Sequence, residues 1–382
     1  MSEAYIVGAV RTPVGRRNGG LAKVHPVDLA AQALTELIAR SGADPSAVDD
    51  VIMGCVGQIG PQSVDIARNA WLSAGLPEGV PGVTIDRQCG SSQQAVHFAA
   101  QAVLSGSQDL VVAAGVENMS MVPMGASVLL PHEKGMPGPF GQGWRDRYGD
   151  QEISQFRGAQ LICERWDLKR SQLEEFSLES HRRAARAIDA GRFARETIPV
   201  EGVTTDEGPR RDTSLDKMAE LKPLREGWEL TAAAASQISD GAAAILVASP
   251  GAVERYGLTP RARIHALSVI GSDPVLMLTG PIPATERVLA RGQLAVDDID
   301  VFEVNEAFAP VLLAWSADTG ASLERTNPNG GAIALGHPLG ATGAILMTKL
   351  LHELERVGGR YGLQAMCEGG GQANATIIER LG

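Results

Sequence analysis

Apolar and polar positions alternate along this chain in two rhythms. Short apolar runs at 5–10, 48–56, 80–85, 110–115, 242–248 and 262–267 read as strands. Between them, residues 28–40 place Leu29, Ala33, Leu34, Leu37 and Ile38 at helical spacing, and 66–74, 95–104, 284–290 and 344–357 also read as helices. Strand alternating with helix predicts an α/β protein, its sheet largely parallel and covered on both faces. The run at 80–85 is expected to be a buried strand. After Ser120 the rhythm breaks: 121–150 is rich in Gly, Pro and Met, with His132, Lys134, Arg145 and Arg147 interspersed, and reads as a surface excursion too long for an ordinary connection. Helices at 151–166 and 171–190 follow. The second is expected to open on a Ser171/Glu174 capping box, stop at Gly191, and expose Arg182, Arg183 and Arg186 on a solvated face.

The pattern then starts again. Ala295-Val296-Asp297-Asp298 repeats Ala47-Val48-Asp49-Asp50 letter for letter, and Cys89 and His337 each follow their tetrapeptide's first residue by 42 positions. Equal offset and recurring strand–helix order suggest a duplicated unit, with Cys89 and His337 at equivalent strand-to-helix turns. The excursion would interrupt the first unit before its last strand, whose counterpart would be 373–380.

Composition narrows the function. Apolar residues make up 44% and charged residues 21% of 382, a folded α/β composition rather than a disordered one. A net charge of −11 with no basic block argues against nucleic-acid binding. Nothing approaches the length of a membrane span, the first residues lack the pattern of a secretory signal, and the last four carry no peroxisomal address. The four cysteines, Cys55, Cys89, Cys163 and Cys367, have no metal-type spacing. A reducing cytoplasm, free thiols and no metal are therefore expected.

Chemistry concentrates in four stretches. Cys89-Gly90 sits at a strand-to-helix turn, where free N–H groups and the helix dipole favour a thiolate. Glu303-Val304-Asn305-Glu306-Ala307-Phe308 ends a strand, the edge at which α/β sheets place ligands. His337 lies in a run of glycines that admits close backbone approach. Cys367 ends an apolar strand before Gly369-Gly370-Gly371. Cys55, Cys163 and His265 read as structural, and His25, His97, His181 and His352 as structural or surface. Two cysteines and a histidine at three such turns form a coherent acyl-transfer set: a nucleophile, its base and a second proton carrier.

These four stretches, in order and spacing, resemble thiolases, and 115–120, 236–244 and Gly280-Pro281-Ile282-Pro283 extend the resemblance over essentially the whole chain. The wording after Cys89 and in the C-terminal third is similar to actinobacterial thiolases of β-oxidation and steroid catabolism. The resemblance implies two duplicated halves in a five-layer α-β-α-β-α arrangement: 1–120 completed by 239–255, an inserted CoA-binding loop domain at 121–238, and 256–382. It implies that Cys89 carries the acyl group, His337 takes its proton, and Cys367 handles the second proton. Asn305 with His337 would form one oxyanion site, and the N–H groups of Cys89 and Gly369 the other. Ser236, Met277 and Phe308 would face the substrate, and Arg210 or Arg211 the nucleotide end of CoA. The segment Phe156-Arg157 departs from the His-Met pair of short-chain biosynthetic thiolases, and Ala373 stands where the family often has another glycine. The expected reaction is cleavage of a 3-oxoacyl-CoA by CoA, which is a substrate and not a resident cofactor. A biosynthetic acetyltransferase and a silent acyl-CoA-binding subunit are the alternatives, and a homodimer or homotetramer is implied.

Overall fold

The computed structural model describes residues 3–382. Its strands are β1 (Tyr5–Arg11), β2 (Gly15–Arg16), β3 (Asp50–Gly54), β4 (Gly82–Ile85), β5 (Leu110–Asn118), β6 (Ser239–Ala248), β7 (Ala262–Gly271), β8 (Val301–Val304), β9 (Tyr361–Glu368) and β10 (Gln372–Arg380). The helices are α1 (Pro26–Ser41), α2 (Ile66–Ser73), α3 (Ser91–Ser105), α4 (Ala126–Glu133), α5 (Gln142–Tyr148), α6 (Gln155–Arg165), α7 (Arg170–Asp189), α8 (Leu215–Ala219), α9 (Pro250–Tyr256), α10 (Pro281–Gly292), α11 (Ala309–Thr319), α12 (Ala332–Leu335) and α13 (Thr342–Val357). The strands lie in the order β4-β3-β5-β6-β1-β7-β10-β9-β8, with β2 beside β6. Only β4, β3 and β5, and β8 with β9, run parallel. The sheet is therefore mixed rather than largely parallel. In the second half the cause is local: three glycines join β9 to β10, and so short a link can only reverse the chain.

The duplication is real, but its register is not that of the repeated tetrapeptide. Asp50 and Val301 open β3 and β8, Ser91 and Thr342 open α3 and α13, and Leu110 and Tyr361 open β5 and β9, each pair 251 residues apart. Both halves close the same clamp. The Asp49 carboxylate accepts from the N–H groups of Asp109 and Leu110, and the Asp300 carboxylate from those of Arg360 and Tyr361. The matching tetrapeptides are offset by 248, so their identity is coincidental. His337 consequently lies three residues ahead of the true counterpart of Cys89, which is Gly340. It follows the short helix α12 rather than a strand, because the partner of β8 at that edge is reduced to a bridge between Phe302 and Thr326.

The halves meet where β1 touches β7 at Tyr5 and Ile6. Three buried clusters separate five layers. One packs α1 and α2 on the first half's sheet, a second encloses α3 and α13 between the sheets, and a third packs α10 and α11 on the second half's sheet. The middle layer is close-packed by necessity. A Cβ on Gly343 would overlap Gln93, and one on Gly115 would overlap Gly340. The Ala344 N–H at the start of α13 is capped by the Ser92 hydroxyl of α3 (2.9 Å). Two other expectations fail. The strand at 80–85 is an edge strand, half-buried, with Val83 exposed. At α7 the Gln172 side chain accepts from the Lys169 N–H (2.8 Å) in place of a Ser171/Glu174 box, and Arg183 is held against the carbonyls of Leu323 and Thr326.

Candidate active site

The turn carrying Cys89 is built by short-range hydrogen bonds. Asp86 accepts from the Gln88 N–H (2.6 Å), and Ser91 accepts from the Arg87 N–H (2.9 Å) while donating to the Gln88 carbonyl (2.6 Å). Gln88 is driven to φ +49°, an unusual conformation for a non-glycine residue, which turns the chain sharply into α3. Cys89 is half-buried at the wall of a cavity of about 530 Å³, whose lining includes Cys367, Gly369, Met277, Ala307 and Leu339. The helix terminus does not make it a thiolate. Burial first, then the Glu368 carboxyl, push the Cys89 thiol up to about 12, against a smaller pull from the N–H groups of Gly369 and of Cys89 itself. Cys367, at the end of β9, is buried and pushed up as well, by burial and then by its neighbour Cys89. Both sulfurs rest as thiols and require a base.

His337 has the protonation state that a base needs. It is buried, and burial lowers it to about 4, so the ring is neutral at physiological pH. Its Nδ1 meets the Thr342 hydroxyl at 2.6 Å, and that hydroxyl donates its single proton to the Pro338 carbonyl (2.8 Å). Thr342 must therefore accept from Nδ1–H, which leaves the lone pair on Nε2. Nε2 lies 3.4 Å from Asn305 Nδ2. Gly336, at φ +109° and pressed against Ser239, turns the loop into position, and its next N–H is held by the Gln237 carbonyl (3.1 Å). Two buried carboxylates lock the surroundings. Glu117 gathers the N–H groups of Val56, Gly57 and Gly340. Glu306 accepts from Ser180, Asn327 and the Ile333 N–H.

Cys89, Cys367, Gly369 and Met277 thus share one cavity. His337 and Asn305 are not among its lining residues; each stands two residues along the chain from one, Leu339 and Ala307. Met277 is held at φ +56°. Ser236 is half-buried, its N–H on the Ala307 carbonyl (2.9 Å), and Phe308 is buried edge-on to Phe156. Neither Ser236 nor Phe308 lines the cavity. Arg210 is on the surface, and Arg211 is committed to Asp189 (2.7 Å). Sequence reasoning did not single out Thr342, Glu368 or the cavity's apolar wall of Met119, Val122, Met124, Phe140 and Trp144. Glu368 adjoins Cys367 in sequence and was open to notice; the wall depends on how the excursion folds back. Among the described residues no cluster of metal-ligating side chains occurs, and no helix is long and apolar enough to cross a membrane.

Two cysteines on one cavity and a buried neutral histidine, drawn from two pseudo-equivalent halves, are a residue set suited to acyl transfer. The chain belongs to the thiolase family: residues 4–251 match the thiolase N-terminal domain and 258–380 the thiolase C-terminal domain. It is 60% identical to the steroid 3-ketoacyl-CoA thiolase FadA6 of Mycobacterium tuberculosis, over 100% of this chain and 95% of that protein. Human mitochondrial 3-ketoacyl-CoA thiolase in complex with CoA superposes with a TM-score of 0.90 at 34% identity, covering 100% of this chain and 98% of the other. The acetyl-CoA acetyltransferase of Bacillus anthracis does so at 0.91 and 37%, covering 100% and 99%. The protein is a degradative thiolase, an acyltransferase that uses CoA as substrate and needs no other cofactor.

Proposed function

We propose that Cys89 forms the acyl-enzyme, with His337 as its base and Cys367 as the second proton carrier. The observation that carries this reading is the meeting of two cysteines and the Gly369 N–H on one cavity, together with a buried, neutral imidazole two residues from its lining residue Leu339. His337 Nε2 takes the Cys89 proton, and the sulfur attacks the 3-oxo carbon. The C2–C3 bond breaks, its electron pair forms the enolate of acetyl-CoA, and Cys367 protonates that carbon. Cys367, now a thiolate, takes the proton of the incoming CoA thiol, whose sulfur displaces Cys89 and releases the shortened acyl-CoA, while the departing Cys89 thiolate recovers its proton from His337. Charge develops on two oxygens in turn. The N–H groups of Cys89 and Gly369 are aimed beside the sulfur, and Asn305 Nδ2 with protonated His337 provides a second donor pair.

The excursion at 121–238 is read as an inserted loop domain that binds CoA, interrupting a first half of 1–120 completed by 239–255, with 256–382 as the second half. Ser236 faces the pantetheine on this reading, and Arg210 and Arg211 the nucleotide end; the Arg211–Asp189 pair would have to open. The acyl group lies against Met119, Val122, Met124, Phe140, Trp144 and Met277. Phe140 and Trp144 stack at 4.7 Å, a broad apolar face suited to a bulky, steroid-derived chain of the kind named for the mycobacterial relative. A homo-oligomer and a cytoplasmic setting complete the reading. In support, β4 is an edge strand with Val83 exposed and Val64 and Phe98 exposed as well, and all four cysteines are unpaired.

The test is incubation with a 3-oxoacyl-CoA, followed by peptide mass analysis. An acyl mass on the Cys89 peptide is expected, lost in Cys89→Ala, whereas acylation elsewhere or none overturns the assignment. Thiolysis rates across linear, branched and ring-bearing 3-oxoacyl-CoAs then test the apolar wall, and sedimentation tests the oligomer.

A further inference from the structure

Behind Cys89 lies a carboxyl group that the reaction above does not use. Glu368 follows Cys367 on β9, is completely buried, and neither of its carboxyl oxygens makes a well-formed hydrogen bond. It stands directly against the nucleophile's turn, since a Cβ on Gly90 would overlap its carboxyl group. Arg87 faces it without neutralising it: the guanidinium donates through Nη1 to Gln372 (2.7 Å), and its buried Nε is itself unpartnered. Other facing groups are few. Cys89 lies on the turn and Cys367 on β9, while Gln372 and Asn374 on β10 are neutral. His97 on α3 is kept neutral by burial, and Asp86 adds a weaker negative influence at Cys89.

We propose that Glu368 is a positioning residue that controls when Cys89 becomes a thiolate, its carboxyl staying neutral in the resting site and opposing the thiolate once ionised. This rests on the reading of Cys89 as nucleophile. A carboxylate with no donor beyond the Asn374 N–H is costly in a closed interior, so the proton is retained. Burial raises Glu368 to about 8, partly countered by Arg87 and then by the Asn374 N–H. Below that pH a neutral carboxyl leaves Cys89 to His337 alone. Above it, a negative charge beside the sulfur disfavours a second one, and the two titrations are coupled. Loss of the Glu368 proton would therefore give thiolysis an alkaline limb. The glycine at position 90 is what lets the carboxyl sit so near.

The experiment compares wild type with Glu368→Gln, which keeps the shape and removes the titration. Iodoacetamide alkylation of the Cys89 peptide is followed by mass from pH 6 to 10. The two proteins should react at equal rates near pH 6.5, and the variant about tenfold faster near pH 9, one unit of thiol pKa being a factor of ten. A rate ratio that does not change with pH overturns the proposal, as does a ratio of one throughout. Glu368→Asp, which keeps a carboxyl but withdraws it from Gly90, should fall between them. If the glutamine variant does not fold, the aspartate variant carries the same comparison. Acylation by a 3-oxoacyl-CoA is scored separately at pH 6.5: its absence alongside a pH-dependent ratio would sink the nucleophile assignment and leave this one standing.

Discussion

The two halves share a framework but not an interior. Toward the central helices, β5 and β6 present Val111, Ala113, Ala243, Ile245 and Val247, an apolar face. The pseudo-equivalent pair β9 and β10 presents Gln364, Glu368, Gln372, Asn374 and Thr376. Two of these side chains bond to α3 of the other half: Gln93 donates to Thr376 (2.8 Å), His97 meets Thr376 (2.7 Å), and Asn374 donates to Gln94 (3.1 Å). An apolar face stabilises by excluding water and tolerates change in proportion to volume. A buried polar face tolerates little, because each lost partner leaves a group that water cannot reach. Duplication supplied the scaffold twice: the first copy's carboxylate, Glu117, is taken up by the N–H groups of Val56, Gly57 and Gly340, whereas the second copy's Glu368 stands against the Cys89 turn.

Removing the nucleophile is the most severe way to test that division. Cys89→Ala should lower thiolysis by at least about a thousandfold with an unchanged circular dichroism spectrum; retained turnover would move the chemistry to the second half alone. Next comes the ion pair that anchors the His337 loop. Lys349, buried, bonds Glu303 (2.9 Å) and the Gly330 carbonyl (2.7 Å), so Lys349→Met should cost about 3–5 kcal/mol in denaturant unfolding. The interior faces then separate by paired substitutions. Ile245→Ala should cost about 2–5 kcal/mol through a cavity. Thr376→Val, nearly isosteric, should cost about 1–3 kcal/mol by leaving Gln93 and His97 short of a partner. Equal, negligible losses would erase the contrast drawn above.

Two smaller effects sharpen it. Thr342→Val frees the His337 tautomer and should reduce kcat roughly 10–100-fold with KM little changed, since such supporting contacts act through the group they orient. Acid should weaken the fold through the same buried imidazoles. His337 titrates near 4 and His97 near 3 in the folded chain, below the ordinary value of 6.5. Between pH 6.5 and these values the unfolded chain binds the extra protons. Stability is therefore complete above about 6.5 and falls as pH drops, by on the order of 2 kcal/mol per group at pH 5, readable as a lower Tm.

Much of this was legible in the chain itself. Alternating periodicity located most strands and helices, because burial of one face imposes its period on the residues. The glycine-flanked Cys89, His337 and Cys367 stood out because turns that bring main chain close to a ligand admit few other residues. Register was not legible: the tetrapeptide at 47–50 and 295–298 pointed to an offset of 248, whereas hydrogen-bonded strands and helix starts align at 251. Letters repeat by chance, but the Asp49 and Asp300 clamps repeat because they satisfy the same backbone groups.

Sequence alone thus determined which residues are candidates for the chemistry, since side-chain type and local turn composition are properties of short segments. Tertiary structure decided their state. The turn at Cys89 promised a thiolate, yet burial keeps a thiol there, and the Glu368 carboxyl, brought against it by the second half's hairpin, adds to this once it is ionised. Desolvation and the approach of a distant carboxyl depend on how the two halves close on each other, and no local pattern encodes that closure.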